Sequence, residues 1–344
     1  MYKCALQLNK APSVTTQAPN PQWRQTPIWV FALGYFAIYA IYGGYVKAVS
    51  GGYLTDAPAR LALLPGLTLG LLLILPAVIW RMRKRAAALG DGGRKSGLFS
   101  GPVLLSGVAT AAIIGTTTFA YAFEGVSVLL ALLLMRGGVL LLAPIVDRRE
   151  ARAISGQALA ALCLSVLAVA VGVFGARDGA LSLGAIANLG VYLAAYALRL
   201  TLMTRYAKTH APGLRAQYFA DEQVVSLGCL VLVTCALAFA PFSVGTDIRQ
   251  GVALIFSASG PLLLLIGVFY GGVLTFGTLI YLDARENTFA IPVNRGASLL
   301  SGVAASAVLS LTFAEPWPTL GSYLGALLVL AALYVLSMSL RRAA

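Results

Sequence analysis

One run long and apolar enough to cross a bilayer, ALLLMRGGVLLLAPIVD at residues 131 to 147, carries a full charge inside it, Arg136. The pattern returns 159 positions later, where IPVNRGASLLSGV puts Arg295 into a second such run with the same Arg-Gly-small order. An arginine at bilayer mid-depth costs about 2.5 to 3.5 kcal/mol on insertion scales, so two cost roughly 5 to 7 kcal/mol. A cost of that size, met twice in matching contexts, points to a site rather than to packing. The competing reading is that each arginine pairs with an intramembrane carboxylate or caps a helix end.

Of the 344 residues, 59% are hydrophobic and only 11% charged, and the mean hydropathy is +0.84, which excludes an ordinary soluble globular protein. The apolar runs are long and continuous, as membrane helices require, and lack the short alternation of barrel strands. The expected class is an all-α membrane protein. The net charge of +13 falls mostly in short loops between the runs, where it sets orientation and gives no footprint for nucleic acid. The four cysteines form no CxxC pair, and His210 is the one histidine. Neither a metal site nor a Ser/His triad can be assembled, so no cofactor, metal or enzyme activity is expected.

Residues 1–27 are rich in proline and polar residues and read as a flexible cytoplasmic tail. Ten spans follow, roughly 28–48, 59–81, 100–121, 123–146, 154–175, 181–204, 219–241, 258–282, 288–313 and 319–340. If the tail is inside, eighteen of the 25 lysines and arginines lie on that side and four on the other, with Arg136, Arg199 and Arg295 left in spans. This places both termini in the cytoplasm. The arginine-bearing spans are the fourth and ninth, so residues 28–175 and 181–340 read as two five-helix repeats of opposite orientation. Tyr121 and Tyr281 end the preceding spans at matching distances. Inverted repeats are how many transporters build two alternating states around a midplane site. The other reading is chance likeness between two apolar runs.

Ten spans, inside termini, Lys47 closing the first span, Arg60 opening the second and the turn Asp147-Arg148-Arg149-Glu150 after the fourth together resemble the drug/metabolite transporter superfamily, of the EamA-like kind. Asn294-Arg295 resembles the asparagine-lysine pair that nucleotide-sugar transporters carry in the ninth helix. Arg136 resembles the basic residue of the fourth helix in triose-phosphate translocators. In those relatives the cations hold substrate phosphates, so the resemblance implies an anionic substrate, phosphorylated in those cases. The expected location is a bacterial cytoplasmic membrane, with the protein polytopic in it.

The residues themselves point the same way. A guanidinium presents a planar fork that matches carboxylate or phosphate and stays charged at ordinary pH. Counted from Phe123, Arg136 falls about 20 Å along its span, and Arg295 about 10 Å along its own. Tyr35, Tyr39 and Tyr42 share one face of the first span, and Asn188, Tyr192, Tyr196 and Arg199 share one face of the sixth. The first stripe reads equally as a cavity lining or as core packing, the second as a face turned to protein or water rather than to lipid, and Arg199 as a snorkelling side chain. Substrate contact is expected from Arg136, Arg295, Asn294, Tyr39, Tyr42, Tyr192 and Tyr196. Coupling or gating is assigned to Glu222, Gln223, Lys47 and Arg199, with Glu222 neutralising the arginines when the site is empty. The alternative for Glu222 is a first-turn acid favoured by the helix dipole.

The expected function is therefore secondary transport of a small organic anion. The alternatives are export of amino acids or other neutral or cationic metabolites, and an anionic-lipid flippase or scaffold. The partners expected are the small-molecule substrate and membrane lipid. The glycine pairs Gly66/Gly70, Gly267/Gly271 and Gly321/Gly325 permit close helix crossings, within one chain or in a homodimer.

Overall fold

Eleven α-helices follow one another in the computed structural model, which describes residues 28–88, 100–149, 156–176, 181–207, 212–282 and 287–341, with no strand among them. The tail read at 1–27 lies outside the described residues. The helices are α1 (Ile28–Ser50), α2 (Leu63–Ala88), α3 (Gly101–Tyr121), α4 (Val128–Arg149), α5 (Gly156–Phe174), α6 (Leu183–Leu202), α7 (Pro212–Ala238), α8 (Phe242–Ile255), α9 (Gly260–Leu282), α10 (Asn287–Phe313) and α11 (Leu320–Arg341). Seven of them, α1, α2, α3, α6, α7, α9 and α10, are long and apolar enough to cross a membrane. Shorter apolar stretches, Val128–Leu142, Leu159–Phe174 and Leu320–Val335, lie in α4, α5 and α11. Such a set of helices is the make-up of a polytopic membrane protein.

Each apolar run read from the sequence falls on one helix, and α8 is the addition. It carries Asp247 and Arg249, which keep its hydropathy low. Its inward stripe is nonetheless regular: Val244, Ile248, Gly251 and Ile255 are buried or half-buried at i, i+4, i+7 and i+11. It packs beside α2 and α9, and a Cβ on Gly251 would come within 2.3 Å of the Ala62 carbonyl oxygen.

The fourth helix begins later than expected. Gly125 takes a left-handed φ of 70° in the turn after α3, a conformation glycine adopts without Cβ strain, and α4 starts at Val128. Arg136 therefore lies about 12 Å from its start rather than about 20 Å. The α4 residues from Leu129 to Met135 are all buried, three of the leucines completely. That enclosure is why the charge on Arg136 meets protein and not lipid.

Helix crossings are set by small residues. A Cβ on Gly70 of α2 would sit 2.1 Å from the Leu264 carbonyl oxygen, and one on Gly267 of α9 2.2 Å from that of Leu67. The two backbones thus touch where no other residue fits. Gly175 and Gly321 do the same for α5 and α11. Elsewhere α1 lies against α9 and α10, α6 against α3 and α4, and α7 against α2 and α3.

Candidate functional site: two buried arginines in a ring of tyrosines

The tyrosine stripe of α1 turns inward, with Tyr35, Tyr39 and Tyr42 at most 4% exposed. Their rings meet edge to face at centroid distances of 5.3 and 6.0 Å. Tyr42 continues the cluster to Tyr121 of α3 and Tyr270 of α9, at 5.8 and 4.9 Å, and its hydroxyl lies 2.7 Å from Thr118 Oγ1. On α6, Tyr192 and Tyr196 are also buried, with ring centroids 5.8 Å apart.

Arg136, from α4, lies among these hydroxyls. Its Nη2 donates to the hydroxyls of Tyr35 and Tyr39 at 3.3 and 3.1 Å, and its Nη1 reaches the Tyr192 hydroxyl at 3.5 Å. Tyr121 in turn donates to the Tyr39 hydroxyl at 3.2 Å. Arg295, from α10, donates to the Tyr196 hydroxyl and lies 4.6 Å over that ring, a cation–π arrangement. The two arginines are within electrostatic reach of each other and share Tyr35, Tyr39 and Tyr192 as neighbours. They are 7% and 3% exposed, and neither forms an ion pair with a carboxylate among the described residues.

Three guanidinium N–H groups, Arg136 Nε, Arg295 Nε and Arg295 Nη1, are buried without a hydrogen-bond partner. A tyrosine oxygen that accepts from arginine keeps its own proton to donate elsewhere. The site therefore offers hydrogen-bond donors and positive charge, and among the described residues no carboxylate joins them. Among the described residues no cluster of His, Cys, Asp or Glu can hold a metal ion.

Asn294 is buried beside Arg295. At Gly277 of α9 an added Cβ would meet the Tyr35 ring at 3.3 Å and the Asn294 amide at 3.8 Å, so these two border the same space. Gly137 and Gly138 serve helix packing: a Cβ on either would strike Val169 of α5 or Leu193 of α6 at 2.8 Å. Asn188 donates to the Thr116 carbonyl at 2.9 Å, apart from the guanidiniums.

Glu222 is not brought to the arginine pair. Its fully buried carboxylate accepts two hydrogen bonds from Arg199, Nε at 2.9 Å and Nη2 at 2.8 Å, and a third from the Ser106 hydroxyl. Gln223 beside it is buried with both amide atoms unpaired. Lys47 lies where α1 ends, donating to the Phe123 carbonyl at 3.1 Å and pairing with Glu315 at 3.6 Å. Spacing along α1 already exposes Tyr35; Tyr270 and Ser106 belong to no stripe that would have singled them out.

No family model matches this chain, and neither does any curated protein. Solved structures of similar shape exist. One, described only as "Crystal structure of protein", is 14% identical over 92% of this chain and 98% of its own, at a TM-score of 0.48. A likeness that distant carries no function across.

Proposed function

We propose that this chain is a secondary transporter that moves a small organic anion across the membrane by alternating access between two five-helix halves, in the manner of the drug/metabolite transporter superfamily. The observation that carries this reading is the pair of guanidiniums held deep in the bundle by hydroxyls, with no carboxylate among the described residues to neutralise either. Two fixed positive charges in a low-dielectric chamber are costly unless an anion joins them. The three unmet N–H donors suit the acceptor oxygens of a carboxylate or phosphate in kind.

The two-half reading draws support from how helices pair. When α1 to α5 are matched in order to α6, α7, α9, α10 and α11, the contact of α1 with α10 becomes that of α6 with α4. In the same way α1 with α9 becomes α6 with α3, and α2 with α9 becomes α7 with α3. Tyr35 and Tyr39 recur 157 positions later as Tyr192 and Tyr196, close to the 159 that separate the arginines. On this reading ten helices cross the membrane, both termini face the cytoplasm, and the end where α1 finishes faces outward. A bacterial cytoplasmic membrane is the proposed setting. Exchange of one anion for another suits the site, because an empty, doubly charged carrier reorients at high cost. Cation export fits less well, since the buried carboxylate of Glu222 is occupied by Arg199.

Purified protein in liposomes, loaded with candidate anions and assayed for exchange, tests the proposal. Uptake should collapse in Arg136→Ala and in Arg295→Ala; uptake that continues at the original rate in both would remove the basis for it.

A further inference from the structure

We propose that Lys47, Tyr53 and Glu315 form a latch that holds one mouth of the bundle shut, and that Ala314 keeps this latch under backbone strain so that it can release. Its purpose rests on alternating access between the two halves, but its existence does not depend on which substrate moves. The contacts join segments far apart in the chain at a single end. Lys47, on the last turn of α1, holds Glu315, in the loop between α10 and α11, at 3.6 Å. The same ammonium donates to the Phe123 carbonyl in the turn between α3 and α4, at 3.1 Å. Tyr53, just beyond α1, donates its hydroxyl to the other oxygen of Glu315 and stacks on Phe313, the last residue of α10, at 5.0 Å and 20°. The carboxylate it donates to raises the pKa of this phenol above its ordinary value. Arg60, in the short 3-10 turn ahead of α2, clips the α3–α4 turn with its guanidinium 4.0 Å over the Phe123 ring.

A single carboxylate thus ties the first half of the chain to the second at the end of the bundle where α1 finishes. Lys47 is almost wholly buried, so losing Glu315 leaves its ammonium with a carbonyl as hydrogen-bond partner and no direct ion pair, and the conformation that returns it to water gains. Glu124 also acts on Lys47 electrostatically but makes no ion pair with it. The latch has a feature of its own in Ala314, the one non-glycine residue with positive φ among the described residues, at 55°. A side chain in the left-handed region is strained, and here the strain falls on the residue that presents Glu315. A closed state that is held by one ion pair and opposed by local strain is poised to open.

The test is the rate at which a membrane-impermeant thiol reagent modifies a cysteine placed behind the latch. The cysteine is Thr117→Cys, a buried position on α3, in protein whose four native cysteines are replaced and which is held in lipid nanodiscs. Glu315→Gln should speed modification about tenfold, Glu124→Gln should leave it unchanged, and Ala314→Gly should slow it several-fold by relieving strain in the closed state. The charge swap Lys47→Glu with Glu315→Lys should return the rate towards its original value. If Glu315→Gln leaves the rate unaltered, or if the swap behaves like Glu315→Gln alone, there is no latch. No substrate enters this measurement, so anion transport can fail while the latch stands, and the reverse.

Discussion

Arg199 and Arg136 lie on neighbouring helices, α6 and α4, and meet opposite company. Arg199 forks onto Glu222, and a serine hydroxyl completes the carboxylate's hydrogen bonding. Arg136 is more deeply placed yet its side-chain hydrogen bonds go to phenols alone, and Arg295 beside it bonds one phenol while its Nε and Nη1 stay buried and unmet. Hydrogen bonds to a charged group are worth about 1.5 to 3 kcal/mol each. The hydroxyls can therefore hold a guanidinium in place, but they leave its charge standing. A neutralised arginine is a structural tie, whereas one solvated by neutral donors and acceptors keeps its attraction for an anion.

The contrast is broken most forcefully at the neutralised pair. Glu222→Ala strands Arg199 without its counter-ion and should destabilise the protein by about 3 to 5 kcal/mol, read as a lowered thermal midpoint in detergent. Arg136→Met removes a charge that has no counter-ion among the described residues, so the same measurement should show stability unchanged or raised. Equal losses in the two variants would mean that both arginines are structural. Next in size, Arg136→Met and Arg295→Met should each cut anion exchange in liposomes at least a hundredfold, about 2.7 kcal/mol in transition-state terms. A smaller effect is expected at the α2–α9 crossing, where Gly267→Ala forces two backbones apart and should cost about 1 to 3 kcal/mol of stability without selecting against anions over other solutes. The smallest is Tyr39→Phe. It removes one hydroxyl from Arg136 and the acceptor of Tyr121, and should weaken anion binding about fivefold, near 1 kcal/mol, in a calorimetric titration.

Much of this arrangement is legible in the sequence, because the bilayer imposes a simple rule on it. Ten runs of apolar residues become ten helices, and the spacings of Tyr35 with Tyr39 and of Tyr192 with Tyr196 place each pair on one helical face. Gly66 and Gly70 likewise announce a crossing, though not that α9 is the partner. What escapes the sequence is of two kinds. Helix α8 is too polar for a hydropathy window, and its apolar stripe becomes meaningful only beside α2 and α9. Contacts across the fold escape too: Lys47 and Glu315 are 268 positions apart, and nothing local shows that they meet. Glu222 illustrates the same difficulty at short range. Its acidity and position in α7 are plain in the sequence, but only packing of α6 and α3 against it decides which arginine it serves.

The most direct measurement is a thermal-shift titration of the wild type and the Arg136→Met/Arg295→Met double variant with inorganic phosphate, malonate, benzoate and tetramethylammonium. An anion present at a hundred times its dissociation constant should stabilise the wild type by about 2.7 kcal/mol, and the double variant should show no such gain. Stabilisation by tetramethylammonium alone, or an anion effect of the same size in both proteins, would contradict the account.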